Sequence, residues 1–183
     1  VVGEGGAVVI LEELEHARKR GARIYAEMLG FAATGDAYHL TAPHPEGAGA
    51  ARAMSLALQE AGIKPEQIGH INAHGTSTGL GDIAEAKAVR RVFGEYGTQI
   101  PVTATKSLVG HLLGGSGALG AACTAKAVAT GEIHPTINVF NQDPECTFNI
   151  VREPLKKDFD YALANAFGFG GHNTCLVFGK YRE

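Results

Sequence analysis

Residues 110–131 constrain the fold most. Gly114, Gly115, Gly117 and Gly120 stand among alanines there, and almost nothing charged occurs over residues 110–124. The stretch reads as one long helix, although each interior glycine costs about 0.5–1 kcal/mol relative to alanine. A sequence accepts that cost where another backbone comes very close. A helix without a polar face belongs between layers rather than on a surface. The expectation is a helix buried on most sides of a layered fold, with a glycine-rich loop as the alternative.

Around it, strand and helix signals alternate. Residues 6–11 and 23–33 read as strands, separated by a charged helix over 12–21 that Gly21 stops. A loop with two prolines covers 36–47, and a helix over 50–61 ends at Gly62. Pro65 sits at the start of a short polar turn. A brief strand over 69–73 precedes a helix over 82–93, which Asp82 is placed to cap. A strand over 100–105 ends beside Lys106, and a loop region covers 133–148. Strands over 161–167 and 174–178 flank the turn Gly168-Phe169-Gly170-Gly171, which suggests an antiparallel edge on a mixed sheet. This interleaving is an α/β pattern.

With 183 residues the chain can build one sizeable core. A net charge of −3 with no basic block argues against nucleic acid as a partner. No apolar run is long enough for a membrane helix, so no membrane partner is expected. The start, Val1-Val2-Gly3-Glu4, has neither Met nor a leader pattern and reads as an internal boundary of a longer protein. Three widely spaced cysteines, Cys123, Cys146 and Cys175, suggest neither a disulfide framework nor a metal site.

Three segments share one form, a strand running out into a loop with a polar residue beside glycines. They are Asn72-Ala73-His74-Gly75-Thr76-Ser77-Thr78, Thr105-Lys106-Ser107-Leu108-Val109-Gly110-His111 and Asn165-Ala166-Phe167-Gly168-Phe169-Gly170-Gly171-His172-Asn173. Each alone is compatible with a helix-capping loop, a surface histidine or a plain hairpin. In open α/β folds, however, sites gather where strands end, and three such ends can meet in one pocket.

Together and in this order, the segments resemble the three C-terminal signatures of the β-ketoacyl-ACP synthases of the elongating, Cys-His-His class. The resemblance runs from about Val2 to Tyr181. It implies a thiolase-like fold, of which this chain is the C-terminal half: a mixed sheet flanked by helices, in layers. Residues 1–22 would be the last strand and helix of the N-terminal half, and 23–183 the C-terminal domain.

The resemblance also implies roles. His74 and His111 would donate hydrogen bonds to the enolate formed when a malonyl thioester loses its carboxylate. Lys106 would pair with Glu85, fix the local electrostatics and help hold His111. Thr76 and Thr78 would bond the phosphopantetheine arm that carries the substrates, with no bound cofactor and no metal. Phe169 would gate the site and complete the acyl oxyanion hole from its backbone N–H, and Phe167, Gly168 and Gly170 would line the substrate. Expected partners are the N-terminal half, an acyl carrier protein and a second copy in a homodimer, in the cytoplasm or an organellar stroma or matrix.

The chain also departs from the family. None of its cysteines matches the family nucleophile, which lies in the N-terminal half, so the chain should not condense anything alone. Gly79 and Gly81 stand where many members have Pro and Asn. A non-catalytic chain-length-factor type of polyketide subunit is the alternative. A thiolase or starter-type synthase is disfavoured, because the starter enzymes carry an Asn where this chain has His111.

Overall fold

The computed structural model describes residues 1–182. Its α-helices are α1 (Leu14–Lys19), α2 (Ala48–Ala61), α3 (Gly79–Phe93), α4 (Lys106–Val109) and α5 (Ser116–Thr130). Its strands are β1 (Glu27–Gly35), β2 (Ile68–Asn72), β3 (Pro101–Thr103), β4 (Glu132–Ile133), β5 (Asn149–Ile150), β6 (Leu155–Lys156), β7 (Tyr161–Gly168) and β8 (His172–Gly179). Six strands form one sheet in the order β1-β8-β7-β2-β3-β5, and β4 and β6 pair separately.

The sheet is mixed. β2 runs parallel to β3 and β7, and β3 parallel to β5, whereas β8 is antiparallel to both neighbours. The β7–β8 hairpin expected at an edge therefore lies inside the sheet, because β1 covers β8. β2 is buried along its whole length, as a strand covered on both faces must be.

Each face of the sheet carries its own core. On one, Met54, Ala57 and Leu58 of α2 and Val89 and Phe93 of α3 pack on Ile68, Ile71, Leu163 and Val177. On the other, Ala121, Ala127 and Val128 of α5 pack on Ala162, Ala164 and Phe178. The result is a helix–sheet–helix sandwich.

Three further expectations need correcting. The helix expected over 110–131 starts only at Ser116. A short helix (α4) and a 3-10 turn at Leu113–Gly115 precede it, leaving Gly114 and Gly115 outside. α5 buries one face, and the opposite face is only partly covered by this chain. Nor does another backbone crowd its glycines: a methyl group at Gly117 or Gly120 would meet its nearest neighbour at 3.8–3.9 Å, ordinary contact. Second, residues 6–11 form no strand, and Val8, Ile10 and Leu11 are exposed. A strand needs a partner edge to bond to, and the segment pairs with neither edge of this sheet, β1 or β5. Third, Asp82 does not cap its helix. Thr78 is the cap residue, and the Asp82 carboxylate accepts the Ser77 N–H at 3.1 Å from inside the first turn.

Candidate active site

His74 lies two residues beyond the buried end of β2. The chain turns sharply there, with Gly75 and Ser77 both at positive φ. The buried Glu85 carboxylate of α3 reaches back to this loop. It accepts the N–H groups of His74 at 2.9 Å and Gly75 at 3.0 Å, and the Asn165 side-chain amide at 3.0 Å. Burial raises the Glu85 pKa, and these donors oppose the shift. Both oxygens accept N–H groups, which is the geometry of a carboxylate.

Lys106, at the first position of α4, donates from Nζ to the His74 carbonyl. The direct Lys106–Glu85 ion pair expected from the sequence is not formed: among the described residues no ion pair joins them. The two charges instead hold opposite ends of one peptide group, Lys106 on its C=O and Glu85 on the Gly75 N–H. Lys106 thus secures His74, where the sequence reading gave it His111. Burial lowers the Lys106 pKa, against the pull of Glu85 and Asp82.

The His74 ring is anchored too. Its Nδ1 accepts the Phe167 backbone N–H at 3.2 Å, and the two rings lie 5.4 Å apart. An Nδ1 that accepts carries no proton, so the neutral ring has its hydrogen on Nε2. Burial, then the Lys106 charge, then His111 hold its pKa down to about 3, so it is neutral near pH 7.

His111 has the same tautomer by other means. Its Nδ1 accepts the Leu113 N–H at 3.0 Å and faces Ser116 Oγ at 3.0 Å. The hydrogen again belongs on Nε2. Burial and then the Lys106 charge lower its pKa. The His74 and His111 rings stand edge to face with centroids 5.7 Å apart. Neither Nε2 has a protein partner among the described residues. Two neighbouring neutral imidazoles therefore offer two free N–H donors, the kind of group that stabilises a developing oxyanion.

A cleft of roughly 740 Å³ is lined by His111, Lys106, Thr76 and Thr78, and on the His74 loop by Ala73 and Gly75 rather than by His74 itself. The two threonine hydroxyls are 3.0 Å apart. Phe167 meets His74 through its ring and backbone, whereas Phe169 sits at the tip of the β7–β8 hairpin, 76% exposed. Gly168 pairs with His172 in that hairpin, and the Gly170 N–H bonds the Leu40 carbonyl at 2.7 Å. The sequence reading gave no role to Asn165, which steadies Glu85, or to Ser116, which steadies His111. Asn165 opens the third of the strand-end segments. Ser116, five residues past His111, gave no separate signal.

The three cysteines are free, and burial pushes each thiol pKa upward, that of Cys146 to about 11. None has thiolate character near pH 7. Among the described residues no group of His, Cys, Asp or Glu could hold a metal, and no helix is long and apolar enough to cross a membrane.

Comparison with known proteins agrees with the geometry. The family model "Beta-ketoacyl synthase, C-terminal domain" matches residues 25–140. A 3-oxoacyl-[acyl-carrier-protein] synthase 2 from Synechocystis is 51% identical over 100% of this chain and 44% of its own length. The ishigamide ketosynthase/chain length factor superposes with a TM-score of 0.95 at 40% identity, over 100% of this chain and 44% of that one. A ketosynthase structure described as a type II PKS acyl-carrier protein in complex with its ketosynthase gives 0.91 at 35% identity, over 93% and 42%. The chain spans less than half the length of the proteins it matches. It belongs to the β-ketoacyl synthase family and corresponds to the C-terminal half of the elongating type.

Proposed function

We propose that this chain supplies the decarboxylation half of the active site of a 3-oxoacyl-[acyl-carrier-protein] synthase in fatty acid biosynthesis. The observation that carries the reading is the matched pair of imidazoles, each anchored at Nδ1 and each with a free Nε2–H. A nucleophilic cysteine, supplied from outside this chain, takes the acyl group from its carrier as a thioester. A malonyl thioester on carrier-protein phosphopantetheine then enters the cleft, along Thr76 and Thr78. As its C–C bond to the carboxylate breaks, CO₂ leaves and the electron pair becomes an enolate. Negative charge collects on the thioester oxygen, where the two N–H donors lower the barrier. The enolate carbon attacks the acyl thioester, the new C–C bond forms, and the cysteine leaves as thiolate. Phe169 would gate this acyl side on its glycine hairpin. No other cofactor enters the scheme.

Residues 1–22 would pack on the N-terminal half, which accounts for the exposed Val8, Ile10 and Leu11. The acyl carrier protein is the docking partner, and the whole synthase would work as a homodimer in the cytoplasm or an organellar stroma or matrix. A chain-length-factor role is the weaker reading, because a subunit that does no chemistry has no use for two set tautomers. The test is malonyl-carrier decarboxylation by the complete synthase. His111→Leu should lower kcat by about 10²–10³-fold, the loss typical of one oxyanion donor. Unchanged decarboxylation would overturn the reading.

A further inference from the structure

His111 has no β-ladder or long helix of the domain around its backbone. Its N–H donates to the Val1 carbonyl at 2.9 Å, and its carbonyl accepts the Gly3 N–H at 3.0 Å. Val2 and His111 thus form an isolated parallel bridge. The approach has no room for a side chain. A Cβ on Gly3 would lie 2.2 Å from the Val109 carbonyl oxygen, where a backbone atom cannot yield. Gly110, at φ +77°, approaches Gly3 from the other side: its Cβ would lie 3.0 Å from the Gly3 backbone. Gly6, in the same segment, has open space around it.

We infer that Gly3 is a positioning residue for His111: the backbone contact it permits aims one of the two oxyanion donors, while His74 is aimed independently. The inference rests on the function proposed above. It makes residues 1–3 part of the decarboxylation machinery, although no side chain of theirs reaches the reacting atoms.

The test is Gly3→Ala in the complete synthase, with Gly6→Ala as control. Displacing a reacting group by about 1 Å costs on the order of 10²-fold. Gly3→Ala should therefore lower the kcat of malonyl-carrier decarboxylation by roughly that factor, with KM and acyl transfer to the cysteine within about twofold of the parent. Gly6→Ala should change neither. Equal loss of both half-reactions would overturn the inference, since it would mark a general packing role. Amide hydrogen exchange reads the contact without reference to activity. The His111 amide should exchange faster in Gly3→Ala and not in Gly6→Ala, and unaltered exchange would also overturn the inference. If His111→Leu leaves decarboxylation intact while exchange responds as stated, the proposed function fails and the structural role of Gly3 stands.

Discussion

His74 is held from within the domain, and His111 largely from its margin. Around His74 the supports come from α3, α4 and β7: the Glu85 carboxylate, the Lys106 ammonium and the Phe167 N–H. They are separated widely in sequence and brought together by the sheet. Around His111 the ring is held by residues two and five positions onward, and the backbone by residues 1–3. Both arrangements end in the same tautomer. One is secured by a core that forms with the domain, the other by local turns and a segment outside the sheet.

The first way to break that contrast is to remove the deepest support. Glu85→Ala leaves three N–H groups without their acceptor and Lys106 without its nearby countercharge. An unsatisfied buried group costs about 1–3 kcal/mol, so the unfolding free energy should fall by at least 3 kcal/mol in a denaturant titration. A loss no larger than that of Ser116→Ala would show that the two loops are held alike.

Acid should also separate the histidines. An unfolded imidazole takes a proton near pH 6.5, whereas folded His74 takes one only near pH 3. Between these values the unfolded state binds more protons, so stability is lost as pH falls from about 6.5 towards 3, by up to about 1.4 kcal/mol per pH unit. Buried His70, also held to about 3 by burial, adds the same slope. Chemical unfolding measured across this range should lose about one proton of slope in His74→Gln and clearly less in the more exposed His111→Gln. Equal slopes would erase the distinction.

Ser116→Ala removes one of the two contacts to His111 Nδ1 and the acceptor of the Leu112 N–H. A net hydrogen bond is worth about 1 kcal/mol. Decarboxylation by the complete synthase should fall by about fivefold, with the His74 loop unaffected in hydrogen exchange. A loss as large as that of His111→Leu would mean that the Leu113 N–H alone cannot set the ring. The smallest effect belongs to the exposed Lys87–Glu46 pair at 2.8 Å. Lys87→Ala should leave the denaturant midpoint essentially where it is in the parent, a baseline outside both loops.

Much of this architecture was legible in the sequence. α2 stands within two residues of its expected start, α3 begins three residues earlier than expected, and Gly62 caps α2 at positive φ. Strand ends deliver His74 and the Phe167 hairpin, and the resemblance to the synthases singled out His74 and His111, whose rings the fold brings together. The tautomers were not legible, because each depends on a backbone N–H placed by folding. For His74 that group lies 93 residues away. The Lys106–Glu85 relation was half right: both charges are at the site, but the His74–Gly75 peptide lies between them. Family pairing says which residues are near, not which atoms touch.

By itself the sequence determined the elements with local causes: helices with a 3.6-residue period, glycine stops, and the hairpin whose turn needs Gly170 and Gly171 at positive φ. It also determined which chemical groups stand at the strand ends. Only the tertiary structure decided that residues 6–11 stay unpaired, that the β7–β8 hairpin lies inside the sheet, and that α5 begins at Ser116. It alone set Nε2–H on both histidines. Strand pairing and hydrogen-bond acceptors are supplied by distant partners, and sheet order, which no local pattern encodes, decides which partners arrive.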